Sequence, residues 1–368
     1  MKNDMRLHWF IRLSSFLLAA AVLWLFVGFL LPHLLPVDKI SNTQKSGIIF
    51  RREEWSGEIK IKGDIWALPG TTVSVQPGSK ILVSKEGDSF NLHWLPWELR
   101  SGLNTGVTSL GIRNGELFYD ERQKIQIHLA KFFVWGTKEQ PVELMSEESR
   151  PGSPYDFNVI EMDEGILSNI KMANYRKFLI GDKTTIRESE FRTTGECAVC
   201  IYFGKPVILK NHFEDSVRSS ILVVRGNPKI NDNLFSGIGE GIIVDPKRFG
   251  MPIIYHNNFE GTGTALRFLT GGEEVGGAVA LNDFAGPSAI DIPCDSKVKF
   301  VQNQIRGLFR FAPSSNCSGS ISLGPNYWQT TDKHAILREK IVGREARFEV
   351  LLPSVLQMAP HDVGRRID

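Results

Sequence analysis

At 368 residues the chain can hold one large domain or two small ones, and 42% hydrophobic residues suffice for an ordinary core. Basic and acidic residues nearly balance, 43 against 41, so neither a nucleic-acid-binding field nor an acidic disordered tail is implied. Gly (34) and Pro (18) are plentiful but form no low-complexity block.

The first element is a run of 19 uncharged residues, 13–31, interrupted only by Ser14, Ser15 and Gly28. About 20 such residues cross a bilayer as a helix, whereas signal-peptide apolar regions are usually shorter. Lys2, Arg6 and Arg12 precede the run against one acid, Asp4, which favours a cytoplasmic N-terminus. We therefore expect a cytoplasmic segment 1–12, an uncleaved membrane anchor over 13–35 and a linker over 36–47. A cleaved signal is the alternative, and its small residues, Ala19–Ala21, lie mid-run rather than at the end. Either way, the chain beyond residue 40 lies across the membrane from the N-terminus.

From Trp55 onward the apolar spacing is that of short strands. Ile59 alternates with Ile61 and Val73 with Val75, and each run ends in Gly or Pro-Gly. The aromatic stretch 90–100 breaks this rhythm. Its Trp94 and Trp97 either cover an open end of the fold or form a contact patch for a membrane surface or sugar.

A six-residue phrase then recurs seven times between 186 and 328. It reads Ile-Arg-Glu-Ser-Glu-Phe at 186–191, Ile-Leu-Lys-Asn-His-Phe at 208–213 and Ile-Tyr-His-Asn-Asn-Phe at 254–259. Its closing large apolar residue returns every 21 to 25 residues, and two positions earlier stands Asn211, Asn233, Asn257, Asn282, Asn303 or Asn326. Such a period means stacked repeats. Asn suits a left-handed corner, and stacked Asn side chains can bond along a ladder, so this column is expected to be structural.

A second strand precedes each phrase, at 221–225, 242–245, 265–268, 289–292 and 308–311. Aligning these places Leu222/Val224, Ile242/Val244, Leu266/Phe268, Ile290/Ile292 and Phe309/Phe311 inward. The outward column would then hold Arg225, Asp245, Arg267, Asp291 and Arg310. Alternating charge there reads first as a salt-bridge ladder, with a binding face as the alternative.

Cys294 and Cys317 each lie 11 residues before the apolar residue closing their repeat, so they are expected to stack and to form a disulfide or a close thiol pair. Cys197 and Cys200 sit in an apolar strand without the helix a redox motif needs, so they read as buried or locally bridged. Glu273 and Glu274, on a Gly-flanked turn, read as a solvated tip. No His-containing triad signature and no metal-ligand spacing is present. After Trp328, Thr331-Asp332 caps a short helical segment, Phe348, Val350 and Leu352 form a last strand, and 360–368 reads as a frayed end.

Three phrases carry a resemblance. Leu68-Pro-Gly-Thr-Thr-Val-Ser-Val-Gln-Pro-Gly-Ser-Lys-Ile81, Gly136-Thr-Lys-Glu-Gln-Pro-Val-Glu-Leu144 and Gly324-Pro-Asn-Tyr-Trp328 with Thr330-Thr-Asp332 resemble bacterial right-handed parallel β-helix proteins of the pectin-lyase-like kind. The resemblance implies an all-β right-handed solenoid over 48–330, with 331–368 as a C-terminal cap and tail. It is nearly silent on activity, because that fold hosts enzymes and inert scaffolds alike. In lyase relatives carboxylates hold calcium and an Arg acts as base. Here Asp245 and Asp291 would lie two repeats apart, and calcium needs several oxygens together. The leading expectation is a non-catalytic envelope scaffold or binding module without cofactor, its partners the membrane and a polysaccharide or another envelope protein. A polysaccharide lyase or hydrolase, with calcium, is the alternative.

Overall fold

The computed structural model describes residues 2–84, 110–113, 116–119, 126–147, 159–237, 239–245, 251–261, 263–269, 277–286, 288–293, 297–312, 319–343 and 348–366. Trp94, Trp97, Cys294 and Cys317 therefore lie outside the described residues. The chain is mostly β and begins with one apolar helix. That helix, α1 (Lys2–Leu25), continues through a widened π turn, Phe26–Leu30, and a last turn, Leu31–Leu34. Residues 13–34 are long and apolar enough to cross a membrane.

The helix does not hang free. The Gly70 amide donates to the Gly28 carbonyl at 2.8 Å. A Cβ on Gly70 would come within 2.6 Å of that same oxygen, so only glycine permits the approach. The end of the apolar helix is thereby fixed to the turn at 68–71.

Most of 36–47, expected as linker, instead belongs to β1 (Asp38–Ile49), which pairs in parallel with β2 (Glu53–Ala67). Its polar composition fits an end strand with a neighbour on one side only, where many side chains stay exposed. There follow β3 (Thr72–Val75), β4 (Lys80–Val83), an antiparallel hairpin of β5 (Leu110–Arg113) and β6 (Glu116–Tyr119), and β7 (Gln126–Trp135). Next come β8 (Val142–Ser146), β9 (Val159–Ser168), β10 (Ile170–Ile180), β11 (Thr184–Arg187) and β12 (Glu190–Ile201).

From β11 on, each repeat supplies three strand segments, and each pairs in parallel with its counterpart one repeat later. Ile186, Ile208, Ile230, Ile254, Val279 and Phe300 form one inward column. Phe191, Phe213, Phe235, Phe259, Phe284 and Ile305 form a second, and Ile221, Ile242, Leu266, Ile290 and Phe309 a third. All of these side chains are buried. Neighbouring phenylalanine rings stack with centroids 4.7–5.1 Å apart, the spacing that hydrogen-bonded strands impose. Fully burying each such side chain stabilises by about 1.5–3 kcal/mol.

The asparagines form a ladder. The Asn211 side chain and backbone amide both donate to Asn233 Oδ1 (3.0 and 2.9 Å), and the pattern repeats through Asn257, Asn282, Asn303 and Asn326. Each is wholly buried. The left-handed corner, however, belongs to the residue before Asn, or before Ser189 in the first phrase: Glu188, Lys210, Asp232, His256, Leu281 and Gln302 have φ between 52° and 57°. Placing the bend one residue earlier turns the amide inward, where it satisfies the corner's own backbone groups.

Asp332 caps the closing helical segment, accepting from the His334 and Ala335 amides, and Ile336 and Ile341 bury beneath the last repeat. The strand Phe348–Leu351 follows. Residues 361–366 are not frayed. They run back across three repeats, where His256 Nδ1 lies 2.7 Å from the Asp362 carbonyl and the Gly364 amide donates to Leu281. The strap then sets Arg366 in a two-pronged contact on the buried Asp232 (both 2.9 Å).

Candidate functional site

Strand register decides which outer side chains share a column. One column runs Trp66, His128, Glu161, Leu179, Cys200, Leu222, Ile243, Arg267, Asp291, Arg310. Arg267, Asp291 and Arg310 thus stand together as expected, but Arg225 and Asp245 do not join them. Asp245 follows the strand, and its amide donates to Val223. Correspondingly Ile221 and Val223 point inward, not Leu222 and Val224. Leu222 and Ile243 are buried although they face outward, so apolar alternation cannot reveal the register there, and a slip of one flips every side chain.

The charged end of the column is a ladder of ion pairs. Arg267 reaches Glu240 at 2.6 Å and Asp291 at 3.2 Å, and Arg310 lies 3.7 Å from Asp291. Burial raises the Glu240 carboxyl above its ordinary range, against the pull of Arg267 and Arg218. Asp291 is therefore held between two guanidinium groups, and Asp245 stands off the column.

The middle of the column is apolar. Leu179, Leu222, Val224, Ile243 and Tyr202 form a second buried cluster outside the main core, and the Cys197–Cys200 disulfide is part of it. Three steps of β12, from Cys197 to Cys200, face two steps of β10, from Lys177 to Leu179. This bulge brings both sulfurs to the outer side, making the pair a structural staple. Beside it Arg176 and Lys177, each 1% exposed, meet Glu196 at 2.6 and 3.8 Å.

A groove of about 450 Å³ lies over the left-handed corners. Lys138, Lys171, Lys210, Arg365 and Arg366 line it, against the acids Glu188 and Glu190. The basic residues come from separate stretches of chain, so no local sequence pattern announces them. Close by, Phe133 and Trp135 stack on the outer face of β7 with centroids 6.1 Å apart and planes 10° from parallel. Trp135 is 42% exposed and precedes the groove-lining Thr137 by two residues.

Two clusters of metal-ligating side chains also went unseen in the sequence. His128, Glu161 and Asp163 gather on the outer face of β7 and β9; Glu190, His212 and Glu214 gather beside the groove. In the first, burial above all raises the Asp163 carboxyl to about 6, with Glu161 and Glu164 adding to the rise and His128 opposing it. In the second, Arg192 pairs with both Glu190 and Glu214, and His212 Nε2 lies 3.0 Å from Ser236 Oγ. The signal for the first is cross-strand register, which no repeated phrase marks this early in the chain; for the second it was at hand, because Glu190 and His212 hold the same position in successive phrases. No protein-family model, curated protein or solved structure matches the chain.

Proposed function

We propose that this chain is a right-handed parallel β-helix, held by a single-pass N-terminal anchor with its repeats outside the cytoplasm, that binds an acidic polysaccharide without cleaving it. Parallel pairing of each repeat with the next supports the solenoid, and the contact of Gly70 on Gly28 supports a fixed platform above the anchor. The observation that carries the function is the groove. It sets five basic residues against two acidic ones, beside the stacked Phe133 and the exposed Trp135.

A linear polyanion laid across successive repeats gains charge-assisted bonds from Lys and Arg, and aromatic faces pack against the apolar faces of sugar rings. Absence of cleavage accords with Asp291 being held between Arg267 and Arg310 and with Asp245 lying apart from it. The test is binding of uronate polymers by the full chain in detergent. Lys138→Glu with Lys171→Glu should weaken binding at least about tenfold, as losing two charge-assisted bonds implies. Equal binding by the variant, or the appearance of unsaturated sugar products, would overturn the proposal.

A further inference from the structure

We propose that His128, Glu161 and Asp163 form a binding site for a divalent transition-metal cation of the zinc class. His128 and Glu161 are cross-strand partners on adjacent parallel strands, and Asp163 follows Glu161 by two, so strand alternation sets all three on one outer face. One ligand atom from each lies within 4.8 Å of the others.

Hydrogen bonds do not account for the position of the His128 ring. His128 Nδ1 is 3.6 Å from Glu161 and Nε2 is 3.7 Å from Asp163, both too long for hydrogen bonds. The imidazole is 6% exposed, yet neither ring nitrogen has a hydrogen-bond partner, and Asp163 Oδ1 also lacks one. Buried polar atoms are ordinarily satisfied, and a nine-tenths-buried ring facing two carboxylates marks a place for a cation. Ligands about 2.05 Å from a tetrahedral zinc stand about 3.4 Å apart, and an imidazole binds one ion through one nitrogen. The carboxylate beside that nitrogen is thus a few tenths of an ångström from the required spacing, and the other, inside 4.8 Å, closes the rest by side-chain rotation.

The donor set decides the class. One imidazole nitrogen with two carboxylate oxygens suits zinc and its neighbours, whereas calcium and magnesium prefer oxygen alone. Asp163 keeps 29% of its side chain exposed, which gives the ion a path in and leaves a position for water. The second cluster is the internal control, because its imidazole is already engaged, His212 Nε2 lying 3.0 Å from Ser236 Oγ, and Arg192 pairs with both of its glutamates.

The experiment uses the full chain in detergent, stripped with a chelator and titrated with zinc against a chromophoric competitor. One zinc per chain is expected, with at least about tenfold weaker binding in Glu161→Gln and in Asp163→Asn and no change in Glu214→Gln. If Glu161→Gln does not fold, the half-buried Asp163→Asn carries the test, and circular dichroism confirms its fold. Wild-type protein that takes up no zinc, variants that bind as tightly as wild type, or a loss confined to Glu214→Gln would overturn the site.

Discussion

Removing one rung of the asparagine ladder should cost far more than its size implies. Asn257 Nδ2 donates to the Ile230 carbonyl, the Tyr255 carbonyl and Asn282 Oδ1 at 2.9–3.0 Å. Its Oδ1 accepts the backbone amide and the side chain of Asn233, both at 3.0 Å. Asn257→Ala deletes all five bonds at a wholly buried position and takes the acceptor from the Asn233 amide. A stripped buried donor costs about 1–3 kcal/mol and each further bond about 0.5–1.5, without full additivity, so we expect a loss of about 4 kcal/mol. Asn258, the next residue, is half-buried and accepts from the strap amide of Arg365, so Asn258→Ala should cost under about 1 kcal/mol. Asn257→Asp keeps shape and acceptor but turns a carboxylate toward three acceptors, so it should recover stability as acid protonates it. Urea unfolding followed by fluorescence, with hydrogen exchange across 230–260, measures each variant. Equal costs for the two alanine variants would refute the reasoning.

Gly70→Ala should separate the apolar helix from the first repeat, read as new protease cleavage at 34–38 while the repeats stay folded. Arg366→Ala leaves the wholly buried Asp232 side chain with Asn231 as its remaining side-chain donor, so it should free the strap at a cost of about 2 kcal/mol, seen as nicking after Pro360. Burial pushes the Asp232 carboxyl up, but its bonds from Arg366 and Asn231 together hold it below the ordinary range. Its stabilising share is therefore present above pH 4 and lost as pH falls, and Arg366→Ala should flatten that loss. Asp163 behaves oppositely. Its raised folded pKa means that, without metal, stability falls as pH rises from about 4 to about 6, and Asp163→Asn should remove that slope in a pH series of melting curves.

The parts of the fold that the sequence shows are those where one residue type serves every repeat. Phe213, Phe235, Phe259 and Phe284 recur because each ring must stack on the next, and Asn because each amide must accept from its neighbour. The corner itself was misassigned to Asn. Glu188, Lys210, Asp232, His256, Leu281 and Gln302 share a backbone angle but no chemistry, so nothing in their identities marks them. The outer column failed for a different reason. Ile221-Leu222-Val223-Val224 is buried on both faces, and four consecutive apolar residues carry no phase. The groove and the His128 cluster stayed hidden because their members are brought together only by register between distant strands.

This division says where function can sit. Substituting an inward Phe or Asn disturbs two neighbouring repeats at once, since each ring stacks on the one before and the one after, and each amide accepts from one neighbour and donates to the other. Charged outer positions are tied to neighbours by ion pairs such as Arg267–Asp291, each worth about 0–1 kcal/mol, and so can differ from repeat to repeat at little cost. The outer face does differ along its length, with ionisable groups at His128 and Glu161, an apolar stretch from Leu179 to Ile243, then charges at Arg267, Asp291 and Arg310. A scaffold needing only height would gain nothing from burying His128 between two carboxylates or from bringing the strap arginines over the corners of earlier repeats. Those two departures from the repeat, rather than the repeat itself, are where a ligand should be sought.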